Sequence, residues 1–180
     1  MRSLRDNSLK NKCIHKLVIG LLLSFISQIS LAHNPLIATY LLTHENQQWK
    51  LKIFTTLNTL HQSLLKQFDK DELIDNKGNY NQSVAMNYFK QHIQLTSNKS
   101  ELKLTPQTAN ISNHQSQFIF TIENGEHISG DVHAKIAAMT DHLGQHNLFK
   151  VKAYNKKVHV MLSVRNDYQG KATTPIDPTI

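Results

Sequence analysis

The residues best equipped for chemistry in this 180-residue chain are its histidines: ten of the 11 lie from residue 33 onward. Imidazole is the commonest protein ligand for transition metals. His33 is the sharpest candidate, because the leader described below predicts cleavage after Ala32, which makes His33 the first residue of the processed chain. An α-amine and an imidazole nitrogen from one residue form a chelate. One further His completes the three-nitrogen, T-shaped set that suits copper(II). The alternative is a His that merely follows the cut. Asp141-His142-Leu143-Gly144-Gln145-His146 sets two more imidazoles at i and i+4, which on a helix share a face and can hold zinc or copper. Gly144, and the short run between two strand patterns, point instead to a loop.

An N-terminal His resembles the mature ends of periplasmic copper-resistance proteins and of copper-dependent polysaccharide monooxygenases. That resemblance rests on His33 alone and implies a copper site at the processed terminus. The remaining candidates have bland readings beside them. His133 and His159 fall on polar strand faces, where alternation alone explains them. His61 and His92 border apolar helical stripes, as packing edges do. Asp69, Asp71, Glu72 and Asp75 collect oxygen ligands near Gly78, but an EF-hand wants alternating ligands, an early Gly and a late Glu; a solvated turn fits them as well. There is no G-x-S-x-G, H-E-x-x-H, P-loop or dinucleotide fingerprint, and spacing identifies no Ser-His-Asp set.

Charge narrows the partners. Lys and Arg number 20 against 13 Asp and Glu, yet five of those cations and one anion precede residue 33, leaving +3 for the rest. The basic residues are not interleaved with aromatics as a base-stacking platform requires, so nucleic acid is not an expected partner. Residues 1–16 are cationic and residues 17–32 read LVIGLLLSFISQISLA. That run is short and polar for a membrane span, and Ser30 and Ala32 suit the −3 and −1 sites of a signal peptidase. We expect a signal peptide over 1–32, a periplasmic or secreted bacterial protein, and no transmembrane segment after cleavage. Cys13, the one cysteine, lies in the leader, so the processed chain has no disulfide framework or thiolate chemistry.

Strand patterns must position these groups. Trp49, Leu51 and Ile53 alternate with Lys50 and Lys52; Ile128, Val132, Ala134, Ile136 and Ala138 alternate with polar residues. A turn at Asn155-Lys156 would pair Ala153 with Val158, Val151 with Val160 and Phe149 with Leu162, all on one face. A tight turn at Asn124-Gly125 fails the same test, setting Phe120 and Ile122 against Ser129 and His127. A longer loop, a bulge near Gly130, or membership of two different sheets would each resolve it. Asn58 is placed to cap a helix bearing Leu60, Leu64 and Phe68, and Asn81 or Ser83 to cap another bearing Val84, Tyr88, Phe89 and Ile93. The pattern predicts a mainly β, α+β chain: an antiparallel β-sandwich-like single domain over residues 33–165, with two helices as an early insertion. Residues 166–180, with Gly170, Pro175 and Pro178, read as a disordered tail.

Taken together, His33, the strand over residues 49–55 running into NTLHQSLLKQF, the Tyr88-Phe89 helix and NLFKVKAYNKKVHVMLSV resemble a family of small exported bacterial proteins of unknown function. The resemblance implies one exported, mostly β domain and transfers no functional residue. Three functions fit these observations. The first is a periplasmic binding module whose ligand the sequence does not name, with copper or zinc at His33, His142 and His146 as one option, serving an envelope partner. The second is a structural or protein-docking domain of the envelope, and the third a metal-dependent enzyme.

Overall fold

The computed structural model describes residues 36–125 and 128–174; the leader and His33 lie outside them. Strands β1 (Ile37–Glu45) and β2 (Gln48–Thr55) open the fold. Helices α1 (Leu57–Leu64), α2 (Lys70–Leu73) and α3 (Gln82–His92) follow. Then come β3 (Ile93–Ser97), β4 (Ser100–Glu101), β5 (Leu104–Asn110), β6 (Ser116–Ile122), β7 (Asp131–Ile136), β8 (His146–Ala153), β9 (Lys156–Leu162) and β10 (Gln169–Thr173). They form a six-stranded sheet, β5-β6-β2-β1-β8-β9, and a four-stranded sheet, β10-β7-β3-β4. The ladders are antiparallel except for β1 with β8, which run parallel. The chain is thus mainly β and sandwich-like, with its helices inserted early between β2 and β3.

Alternation builds the core. Ala38, Tyr40 and Leu42 of β1, Leu51 and Ile53 of β2, Phe118 and Phe120 of β6, and Phe149 and Val151 of β8 are all fully buried. The four-stranded sheet contributes Val132, Ala134 and Ile136 to the same core. Helix α3 lays Phe89 against Phe118, with ring centroids 4.8 Å apart. Three two-residue hairpins carry positive φ at both turn positions: Asn46-Gln47, Asn98-Lys99 and Tyr154-Asn155. That is the type I′ geometry that matches strand twist, and Asn tolerates it in each.

Five sequence expectations need correction or completion. The β8–β9 turn is Tyr154-Asn155, so Ala153 pairs with Lys156, Val151 with Val158 and Phe149 with Val160. The register differs by two residues from the expected one, because a type I′ turn needs positive φ at both positions and Asn155 takes the second. A two-residue slip preserves faces, so the apolar set still points inward. The Asn124-Gly125 mismatch arises because β6 and β7 belong to different sheets. Thr56, not Asn58, caps α1, accepting the Thr59 N–H at 3.3 Å; Asn81 caps α3. Within the segment read as a polar turn, α2 buries Leu73.

The expected disordered tail is ordered through residue 174. Strand β10 pairs with β7 from Gln169↔Lys135 to Thr173↔Asp131 and buries Ala172. The glycine that reads as a breaker is what lets it dock: a Cβ on Gly170 would lie 2.6 Å from Leu162 Cδ2 and 3.0 Å from Val160 Cγ2. Here the two sheets approach too closely for a side chain.

Candidate functional site

The segment from residue 137 to 145 joins the two sheets and carries His142. Met139 is fully buried in the left-handed region at φ 60°, unusual for a long side chain. Its neighbours enforce that geometry: its N–H donates to Tyr88 Oη at 2.7 Å, and Thr55 Oγ1 meets its sulfur at 3.4 Å. Gly144, at φ 82°, turns the chain into β8. The His142–His146 pair therefore sits on a loop and a strand start, as Gly144 suggested.

His142 faces inward. Its Nε2 lies 3.1 Å from the Thr59 carbonyl and 2.9 Å from Ser63 Oγ. A carbonyl can only accept, so Nε2 carries the proton and shares it between the two oxygens. Ser63 in turn donates to Asp141 Oδ1 at 2.9 Å, and Lys66 Nζ pairs with Asp141 Oδ2 at 2.6 Å. Burial alone would raise the Asp141 carboxyl, but Lys66, Ser63 and the adjacent His142 outweigh it and hold the group below its ordinary range. Asp, Ser and His thus meet, 78 residues or more apart for the Ser63 pairs, but in the wrong sense for nucleophilic catalysis. A nucleophilic serine donates its proton to an imidazole lone pair. Ser63 instead gives its proton to the carboxylate and is 1 % exposed. The array locks α1 to the loop.

Behind it, Asn147 joins the sheets. This fully buried side chain donates from Nδ2 to the carbonyls of Ile136 at 3.0 Å and Ala138 at 3.1 Å, while its Oδ1 accepts from Gln145 Nε2. Gln145 Oε1 is buried without a partner among the described residues.

Outside this lock opens a cleft of about 750 Å³ between the loop and the 3-10 turn Val164–Asn166. His142, His146, Arg165 and Tyr168 line it with Met161 and Val164. Leu143, also on its wall, is wholly exposed; Val164 is 79 % and Met161 40 % exposed. His146 Nδ1–H donates to the Gly144 carbonyl at 2.8 Å, which leaves Nε2 to present a lone pair. Arg165 makes no ion pair among the described residues. Asp141, the carboxylate on the wall, is already engaged by Lys66 and Ser63. The cleft therefore combines an available cation with exposed apolar surface. Arg165, Tyr168 and Met161 were not singled out as site residues from the sequence: Tyr168 falls in the segment read as a tail, and no motif marks Met161 or Arg165.

Of the three candidate metal ligands, His142 and His146 reach the same cleft and His33 lies outside the described residues. Among the described residues no group of three or more His, Cys, Asp or Glu side chains is arranged to hold a metal. The acidic run serves local structure. Asp75 accepts the N–H groups of Lys77 and Asn79 at 2.9 and 2.8 Å, and the Asn79 bonds chiefly hold its carboxyl below the usual range. His61 Nδ1 meets Tyr80 Oη at 2.6 Å and His92 Nδ1–H donates to the Tyr88 carbonyl at 2.8 Å, both at packing edges, while His133 and His159 are exposed. No helix among the described residues is long and apolar enough to cross a membrane. No protein-family model matches the chain, and no curated protein matches it.

Proposed function

We propose that the chain is an exported, periplasmic binding module of a bacterial envelope that performs no reaction, taking a carboxylate-bearing, partly apolar ligand in the cleft beside residues 139–145. One observation carries this reading: Arg165 stands without an ionic partner among the described residues, next to exposed Leu143, Val164 and Met161. Guanidinium recognises carboxylate through a planar pair of donors, and the apolar wall supplies contact area. The self-satisfied Asp141–Ser63–His142 array supports binding over hydrolysis. Calorimetric titration of octanoate into the processed chain tests the reading. Binding should weaken about tenfold in Arg165→Ala, the cost of one charged hydrogen-bonding group. Equal binding of octanol, or indifference to Arg165→Ala, would overturn it.

A second reading keeps the metal. His142 and His146 line one cleft, which supports a copper or zinc accessory role at that surface; the expected amino-terminal chelate of His33 is a separate candidate. Copper(II) titrated into chain with a free amine at His33 should bind more weakly after His33→Ala and after His146→Ala. Unchanged affinity in both variants removes the metal role.

A further inference from the structure

The second surface is the free edge of the six-stranded sheet. Strand β9 is terminal in that sheet, and β8 is its one strand neighbour among the described residues. The Tyr154-Asn155 turn fixes which backbone groups it leaves over. In a two-residue hairpin the flanking pair, Ala153↔Lys156, exchanges both hydrogen bonds, and so does every second pair beyond it. Lys156, Val158, Val160 and Leu162 therefore spend their backbone groups on β8. Lys157, His159 and Met161 turn theirs outward; the Met161 carbonyl is taken by Asn166 Nδ2 at 2.9 Å. Lys157 and His159 keep N–H and C=O groups available among the described residues.

Two of the other three edges are blunted, and the third, β10, is a shorter strand of five residues. Strand β5 contains Pro106 and a register shift before Thr108, and β4 is two residues long. Strand β9 has seven residues, no proline and no bulge. On its outer face Lys157 stands opposite Lys152 and His159 opposite Lys150. Like charges placed directly opposite destabilise a sheet, and Glu45, the carboxylate at the end of β1 on this face, is held by Lys52 at 2.7 Å. Lys150 registers the crowding: burial first, then the Lys157 charge, lowers its ammonium below the ordinary range. On the inner side of the same strand, Val158 is 38 % exposed and Val160 half-buried.

We infer that β9 is a docking edge for an extended segment of a partner protein with alternating acidic and apolar residues, added as a further strand. Main-chain bonds to Lys157 and His159 hold it, its carboxylates meet Lys152, Lys157 and His159, and its apolar residues cover Val158 and Val160. A second copy of this chain is disfavoured as occupant, since two β9 edges would bring Lys152 and Lys157 of one copy towards the same lysines of the other. The inference is independent of the cleft.

The test uses the processed full chain and a short synthetic peptide alternating Glu and Val, with a Lys-Val peptide as control. The Glu-Val peptide should shift the amide resonances of Lys157 and His159, and the Lys-Val peptide should not. His159→Pro removes an outward N–H without touching the β8 ladder and should weaken binding about tenfold, as should Lys152→Glu with Lys157→Glu. Unperturbed core amide resonances confirm that each variant folds. Equal binding of both peptides, or unchanged affinity in both variants, overturns the inference. So does protection of the Lys157 and His159 amides from exchange before peptide is added, or a dimer in sedimentation that Lys157→Glu strengthens.

Discussion

Replacing Asn147 by Ala perturbs one side chain that ties two sheets together. Its Nδ2 is the donor for the carbonyls of Ile136 and Ala138, and its Oδ1 is the acceptor for Gln145. Truncation leaves both carbonyls buried without that donor and opens a small cavity. At about 1–3 kcal/mol for each abandoned buried group, the loss is about 4 kcal/mol, while Gln145 keeps its bond to the His146 carbonyl. A single domain has about 5–15 kcal/mol in total, so the variant should fold but marginally. With a urea slope of about 2 kcal/mol per M, the unfolding midpoint should fall by about 2 M. Asn147→Asp adds a sign. Its carboxylate would face two carbonyls, so the folded state favours the protonated acid and raises its pKa. The variant should be most stable below the ordinary Asp range of about 3.9 and lose stability as pH rises. A midpoint shift under about 0.5 M for Asn147→Ala, or an Asn147→Asp variant that gains stability with pH, would refute the clamp.

Asp141, its carboxyl lowered by Lys66 and Ser63 against its own burial, supplies stability above the ordinary Asp range that is lost as pH falls below about 4. Because the group is a third exposed, the loss is about 1 kcal/mol or less, and Asp141→Asn should flatten that acid limb in pH-dependent urea melts. The two buried phenols should respond oppositely. Tyr40 Oη has no partner among the described residues, so Tyr40→Phe should raise stability by about 1 kcal/mol, whereas Tyr88→Phe orphans the Met139 N–H and should cost about 1–2 kcal/mol in the same melts. Gly170→Val drives a side chain into Leu162 and Val160 and should cost about 2 kcal/mol; no measurable change would mean that β10 does not dock on β9.

Period-two alternation made the inward faces of β2, β7, β8 and β9 legible in the sequence, since burial of one face fixes parity. It did not fix registers, because a slip of two residues leaves every face unchanged; only the φ demands of Tyr154-Asn155 choose. The mismatch across Asn124-Gly125 carried real information about two sheets, but three remedies satisfied it. Strand β10 was hidden because Gly170 reads as a breaker when its packing partners, Leu162 and Val160, belong to another sheet. At the candidate site, Gly144 correctly signalled a loop under His142 and His146. The inward turn of His142 depends on Thr59 and Ser63, some 80 residues earlier, and no local pattern links them. Arg165 was passed over because it is a lone cation at the end of the expected domain, and no local pattern shows the 3-10 turn that sets it on the cleft wall.

The account stands on recognition at the cleft, and mapping amide resonances of the processed chain during octanoate addition tests this most directly. The account predicts concerted, saturable shifts at His142–His146 and at Met161, Arg165 and Tyr168, absent in Arg165→Ala. Shifts scattered over the surface, or none in the cleft at saturating octanoate, would contradict it.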